Sequence, residues 1–470
     1  MNRTSEPRPQ PNGGTLAPHS PGDENGAVLV EPRQAPTPLV NALGKALESR
    51  VKRNMLYFLP PPQTSETIDF TLNDYLSLSA SQHLHEYLLA TLNKSPKILG
   101  AGASRLIVNP QTHASLESRL CTFFHQPTGG TLLFNSGFEA NVSFFATIPQ
   151  PGDVVVYDEY IHASVHDGLK SGCRAEKVIK FKHNDVNDLK SVLESFLATE
   201  TETKLAERLR NGVSSVILGV ESLYSMDGTL APLASMVRVL EEVFPLGNAS
   251  MFVDEAHATG VYGPQGRGRV AFEGLEGHPR ILARLCTFGK ALAASGAVLL
   301  TEPLVVKYLV NYARPLIFTT TLSNLSIIAA SCSFDMLEDG TASGLAEQLL
   351  DSCKWFVETL RKRLKENGVT KQILIVGVLA KDGDDPSSFS PIIPLLTPSD
   401  PSSAYSPAVD LSSHLLDKYR IVARPFGFPV VPKGQERVRV CMNAGHGREQ
   451  VEKLLEAVLE WAIAAKDSRQ

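Results

Sequence analysis

At 470 residues the chain has room for a large domain and a smaller one, and it exceeds what a single small core needs. Its composition, 43% hydrophobic and 20% charged, is that of a globular protein, and a net charge of −5 gives no electrostatic reason to expect nucleic acid as a partner. No apolar run reaches the length needed to span a bilayer, so no membrane is expected either; the longest run, around residues 291–300, contains Ser295 and Gly296.

Residues 1–42 are rich in Pro, Gly and Asn and are expected to form a disordered tail, because they cannot bury enough apolar surface to order themselves. The opening MNRTSEPRPQPNGG lacks the apolar core of a signal peptide, and the closing KDSRQ is not a peroxisomal address. The six cysteines are scattered without metal or disulfide spacing and read as free thiols. The cytoplasm is the expected compartment. After an N-terminal segment at 43–100, short β-rich runs alternate with helical patterns. Strands are expected at 154–157, 178–181, 216–221 and 251–254, and helices at 162–171, 185–198 and 230–243. Such alternation predicts an α/β domain over 101–330 with a mostly parallel sheet covered on both faces, and with its chemistry at the C-terminal ends of the strands. Residues 331–470 change character. Helices at 353–366 and 448–464 and strands near 392–396 and 438–442 suggest a smaller α+β domain.

Four strand-end features carry chemistry. VDEAH (253–257) closes an apolar strand with Asp254 and adds His257. TFGKALAASGA (287–297) sets Lys290 among small residues, where an amine loses its proton more easily. LLFNSGFEAN (132–141) runs a strand through Ser136 and Gly137 into a helix, whose N-terminus suits a phosphate. His162 follows the strand at 154–157 and offers a flat face for stacking. Taken singly, each has a commonplace explanation: a solvated strand end, a snorkelling lysine, an ordinary βα turn, a helix cap. Together they supply what pyridoxal 5'-phosphate requires, namely an anion cradle, a stacking ring, a carboxylate for the pyridine nitrogen and an amine for the aldehyde.

The chain also resembles the α-oxoamine synthases, pyridoxal-phosphate enzymes of fold type I, from about residue 46 to residue 459. The resemblance rests on NDYLSLS (73–79), GAGASRLI (100–107), FNSGFEAN (134–141), HND (183–185), ESLYSMDGTLAPL (221–233), DEAHATGVYGPQGRG (254–268), TFGKA (287–291), IFTTTL (317–322) and VPKGQERVRVCMNAGH (431–446). TFGKA followed by SGA is most similar to the 8-amino-7-oxononanoate synthase branch of biotin synthesis. The resemblance implies that Lys290 binds the cofactor covalently and later moves the Cα proton. It implies that Asp254 pairs with the pyridine nitrogen and that His162 stacks on the ring. His257 and Ser225 then serve the phenolic oxygen or the substrate carboxylate, and Gly137, Phe138 and Thr287 hold the cofactor. Thr319 or Thr320 reaches the phosphate of a partner subunit, since the family is dimeric with shared sites. Asn73 lies near the substrate, and Arg424 or Arg439 binds the amino-acid carboxylate. The implied reaction condenses a small amino acid, L-alanine in the biotin branch, with an acyl thioester of coenzyme A or a carrier protein. Carbon dioxide is lost and an α-amino ketone forms.

Three departures touch this pattern. Tyr57 stands where the biotin branch usually places an arginine for the acyl substrate, which favours an uncharged acyl chain unless Arg50, Lys52 or Arg53 compensates. The loop SRLIVNPQTH lacks a usual glycine, and PVVP puts Val430 where a threonine is common. The alternatives are therefore the same chemistry on a fatty or polyketide thioester, an inactive partner subunit, or a plain aminotransferase. The presence of Lys290, Asp254, His162 and His257 argues against inactivity, and the near full-length match argues against a plain aminotransferase.

Overall fold

The computed structural model describes residues 37–53, 56, 59, 66–198, 203–377, 385–399 and 405–468. The chain divides into two units, residues 1–61 and 62–470. In the first, Pro38–Lys52 form a helix, so the tail expected through residue 42 ends earlier. Thr37 accepts a hydrogen bond from the Val40 N–H at 3.3 Å, and Pro38 opens the helix where a missing N–H is harmless. Proline density in the sequence concealed this start, although proline is favoured at that one position. Tyr57 and Phe58, on which the acyl-chain expectation rests, lie outside the described residues.

The second unit opens with a short strand, β1 (Ile68–Asp69), and is built on a seven-stranded sheet. The strands are β2 (Thr131–Phe134), β3 (Val154–Asp158), β4 (Lys177–Phe181), β5 (Val216–Glu221), β6 (Ala249–Asp254), β7 (Ile281–Thr287) and β8 (Ala297–Thr301). Their order is β2-β8-β7-β6-β5-β3-β4. The pairs β7–β6, β6–β5, β5–β3 and β3–β4 are parallel, while β8 runs antiparallel to both β2 and β7. Alternate residues serve opposite faces. Val154 and Val156 pack with Leu189, Met236 and Leu240 on one side; Val155 packs with Phe144, Phe145 and Phe252 on the other. Each of those buried phenylalanines contributes about 2 kcal/mol. Helices therefore cover both faces, as the unbroken apolar strands require.

The expected helix at 353–366 begins earlier, at Thr341, because the small and polar residues of its first half mask the pattern. Strand β7 escaped the sequence reading because Arg284 interrupts it; that side chain is buried and donates to Glu255 Oε2 at 2.7 Å. The later strands are β9 (Ile375–Val376), β10 (Ile392–Leu396), β11 (Ile421–Val422), β12 (Arg424–Phe426) and β13 (Arg437–Cys441). An antiparallel sheet runs β12-β13-β10-β9, and β11 pairs with β1. The boundary expected at 330 falls inside a continuous helix, Asn324–Glu338, whose apolar residues join the core shared by both sheets. One contact ties the loop after β5 to the second sheet: Gly228 has φ +66°, and a Cβ there would lie 2.0 Å from the Ile392 carbonyl oxygen. Among the described residues no helix is long and apolar enough to cross a membrane.

Candidate active site

The C-terminal rim of the parallel strands gathers the expected residues. His162 caps the helix Ala163–Ser171 just beyond β3, Ser225 follows β5, Asp254 ends β6, His257 follows it, and Lys290 lies in the turn between β7 and β8. This is where an open α/β sheet leaves room for a ligand.

A chain of short contacts starts at the lysine. Lys290 Nζ is 2.8 Å from His257 Nε2, and His257 Nδ1 is 2.6 Å from Tyr75 Oη. Tyr75 donates to Asn73 Oδ1 at 3.2 Å, and Arg439 Nη2 donates to the same oxygen at 3.0 Å. Burial lowers the Lys290 pKa to about 8, against the pull of Asp254 and Glu221. Burial, then Lys290 and Arg439, hold His257 well below the usual histidine range, so it is neutral. Burial also raises the Tyr75 pKa well above its ordinary value. A protonated Lys290 donates to His257 Nε2, which leaves the Nδ1 proton facing the tyrosine oxygen. A neutral Lys290 accepts from Nε2–H while Tyr75 donates to Nδ1. The two arrangements differ by one proton on Lys290, so the His257 tautomer follows the protonation state of the lysine.

A second chain holds the carboxylate. Asp254 Oδ2 accepts from Asn141 Nδ2 at 2.8 Å and Oδ1 accepts from the Ala256 N–H at 2.9 Å. Asn141 also donates to Ser164 Oγ at 2.9 Å, and that oxygen is 2.7 Å from His162 Nδ1. Asp254 and His162 are thus fixed through two buried polar residues. Burial lowers the His162 pKa, which keeps its ring neutral and suited to stacking.

At the start of the helix Gly137–Thr147, Ser136 Oγ accepts from the Glu139 N–H at 3.1 Å, and the N–H groups of Gly137 and Phe138 open the first turn. A Cβ at Gly137 would sit 3.6 Å from the Thr287 Cβ, which places Thr287 against this cradle. Phe138 is half exposed and meets the His162 ring edge-on at 6.4 Å. Thr319 and Thr320 are exposed, and the Thr320 carbonyl accepts from Asn135 Nδ2 at 2.9 Å, just before the cradle. Arg439 is buried beside Asn73, whereas Arg424, its partner in register on β12, is exposed.

Several neighbours were not singled out from sequence. Tyr75 and Asn141 lie inside stretches that carried the family resemblance, so their place in the motif was the available signal. Glu221 ends β5 directly beside Asp254, and its Oε1 is buried without a partner among the described residues. Burial, then Asp254, raise its pKa well above the ordinary value. The HND stretch has a structural task. His183 Nδ1 meets Asp158 Oδ1 at 2.9 Å and its Nε2 meets Asp227 Oδ2 at 3.3 Å, bridging β3 to the loop that carries Ser225. Burial opposes the charge, but the two carboxylates raise the His183 pKa to about 9.

These residues fit pyridoxal phosphate. The helix end suits the phosphate, His162 the ring, Asp254 the pyridine nitrogen and Lys290 the aldehyde. Arg439 Nε is buried and has no partner among the described residues, and a carboxylate is the ligand that such a fork accommodates.

Comparison with known proteins agrees with this geometry. The sequence profile of the aminotransferase class I and II family matches residues 65–458. The 8-amino-7-oxononanoate synthase of Emericella nidulans is 37% identical over 433 residues, which cover 91% of this chain and 97% of that protein. The aminoacyl transferase sphA of Aspergillus fumigatus is 33% identical over 442 residues, covering 92% and 90%. The serine palmitoyltransferase structure of Sphingomonas wittichii superposes with a TM-score of 0.70 at 23% identity, over 92% of this chain and 98% of that one, and so shares its fold.

Proposed function

The chain belongs to the class I and II aminotransferase family and, within it, to the pyridoxal-phosphate-dependent α-oxoamine synthases; from that premise we propose that it condenses L-alanine with a pimeloyl-type thioester, as in biotin synthesis, and releases an α-amino ketone. The observation that carries the reading is the continuous contact chain from Lys290 through His257, Tyr75 and Asn73 to Arg439. In this reading Lys290 is the proton carrier and Arg439 the carboxylate fork of one site.

When bound, the cofactor supplies an electron sink for the charge left at Cα. The protein does the rest. Lys290 would hold the cofactor's aldehyde, and its freed amine would take the Cα proton onto Nζ. Its lowered pKa of about 8 gives a usable fraction of neutral amine near neutrality. His257, held by Tyr75, steadies that amine. Arg439 takes the amino-acid carboxylate, with Asn73 fixing the guanidinium. Asp254, oriented by Asn141, would keep the pyridine nitrogen protonated; Gly137, Phe138 and Thr287 would hold the phosphate end and Ser225 the phenolic oxygen. The net reaction joins the amino acid's Cα to the acyl carbon, releases the thiol and carbon dioxide, and returns one proton to Cα, with Lys290 as the proposed donor.

The active form is proposed to be a homodimer. Leu99, Leu106, Ile107 and Phe318 are 76%, 57%, 78% and 69% exposed, and backbone bonds from Asn324 to Leu99 and from Thr321 to Ala103 hold their segments together beside Thr320. So large an apolar patch fits a second copy, whose Thr320 then reaches across to the cradle. Ile107→Asp is expected to shift the protein to monomer in sedimentation and to weaken cofactor binding.

A second reading keeps the chemistry on an uncharged acyl chain; the apolar wall formed by Phe428, Pro429, Val430 and Val431 supports it. The test is spectroscopic. The visible band of the bound cofactor is expected to change with L-alanine more than with glycine or serine, and again on adding pimeloyl thioester. A response to fatty thioesters only would select the second reading, and no cofactor band in folded protein would defeat both.

A further inference from the structure

Two arginines alternate on β13. Arg437 and Arg439 are two residues apart in an extended strand, so both side chains leave the same face. Both are buried, at 3% and 6% exposure. Arg439 reaches Asn73 at the amino-acid end of the site. Arg437 has poorer company. Its Nε donates to the Gln435 carbonyl at 3.0 Å, while its contacts to the Met226 carbonyl and Gln435 Oε1 are long, at 3.5 Å each.

The acids around Arg437 are engaged elsewhere. Asp227 pairs with His183 Nε2 at 3.3 Å, and Glu159 accepts the His183 N–H at 3.1 Å. Glu436 accepts from Ser399 Oγ at 2.5 Å and from the Gly434 N–H at 3.2 Å. Burial lowers the Arg437 pKa, with Asp227 only partly opposing it. A buried guanidinium served mainly by carbonyls is costly unless an anion joins it.

Arg437 lines a cavity of about 550 Å³ together with His162, Ser225, Met226, Phe428 and Val430. One end of that cavity is the proposed cofactor face; Phe428, Pro429, Val430 and Val431 make an apolar wall, Glu159 and Asp227, engaged as above, also border it, and Arg437 is its one guanidinium. We propose that Arg437 anchors a carboxylate at the remote end of the acyl chain, so that the acyl donor is the thioester of a dicarboxylic acid. This rests on the synthase reading above and assigns the residue that selects its acyl substrate. The two guanidinium groups of β13 then divide two carboxylates between them: Arg439 takes the amino acid and Arg437 the acyl chain. The methylenes between lie against Met226, Phe428 and Val430, where burial favours an aliphatic segment. The fork binds a carboxylate through two parallel hydrogen bonds, which lysine cannot reproduce. Tyr57 had removed one reason to expect a charged chain end, and Arg437 supplies another.

The experiment uses full-length holoenzyme, L-alanine, and the N-acetylcysteamine thioesters of pimelic and heptanoic acids, which match in length and differ in the terminal carboxylate. Neither carries a phosphate that could occupy Arg437. The wild type is expected to favour the pimelic donor in kcat/KM by about tenfold or more, and Arg437→Gln and Arg437→Lys to collapse that ratio, mainly through KM. The spectral response to L-alanine alone reports whether each variant retains its amino-acid site. An unchanged ratio overturns the inference. So does an equal fall with both donors, which would make Arg437 a prop for the Met226 loop. A preference that appears only with coenzyme A thioesters overturns it too and assigns Arg437 to phosphate. Turnover of neither donor, with the alanine response intact, defeats the reaction reading and this inference with it.

Discussion

The two walls of the site are made differently. The strand-end wall, with Asp254, His162, His257 and Lys290, is fixed by side-chain bonds of 2.6–2.8 Å, most of which cross between secondary-structure elements. The facing wall is a loop, residues 427–432, held by its own turn bonds and half exposed at Phe428 and Val430. Chemistry that needs placement to a fraction of an ångström sits on the sheet, and the surface that meets a variable chain sits on the loop. A family built this way can change its acyl substrate without disturbing its reaction.

That contrast can be broken at graded cost. Lys290→Ala is expected to abolish the cofactor's visible band and lower kcat by at least about 10⁴-fold, since the variant loses the amine proposed to hold the aldehyde. A band that survives in the variant would place the cofactor elsewhere. Asp254→Asn is expected to cost on the order of 10²–10³-fold in kcat, because the charge facing the pyridine nitrogen is lost while Asn141 still has an acceptor. Tyr75→Phe leaves His257 Nδ1 without its hydroxyl partner, and about a tenfold loss in the rate of cofactor capture by apoenzyme is expected. In the wild type that rate should rise with pH and level off above about 8, as Lys290 loses its proton. A flat profile would remove the lysine from the step.

His183→Gln tests the seam between the walls. The folded His183 pKa, about 9, lies above the ordinary 6.5, so its stabilisation is complete below 6.5 and is lost as pH rises through 9. The variant should be less stable than the wild type by about 3 kcal/mol near pH 6, with the gap narrowing as pH climbs from 6.5 to 9. A gap independent of pH would show that packing against Tyr160 and Tyr224, and not charge, carries the effect.

Much of the strand-end wall was legible in the sequence. Apolar runs ending in Asp254 and in VILGVE announced parallel strands, and small residues around Lys290 marked its turn. What escaped depends on long-range pairing. Arg284 concealed β7, because its buried partner Glu255 lies 29 residues away. Tyr75 meets His257 across 182 positions, and Asn73 meets Arg439 across 366, distances at which local pattern is silent. Arg437 was not singled out in the sequence, because its poor set of acceptors exists only in the fold. The start of the helix at Pro38 was hidden by composition alone.

The β7–β8 hairpin has one further consequence. Its strands are paired from Thr287–Ala297 to Ala283–Thr301, and inside the turn Phe288 and Ala294 are tied by backbone bonds to Gly296 and to Phe288. Lys290 is thus mounted on a stalk with both feet clamped. If its amine is displaced during turnover, as proposed, the paired strands leave the motion to the four-carbon arm, and the nitrogen would stay within a short radius of its first position. An atom held in this way would be on hand for a later proton transfer without rearrangement of the hairpin.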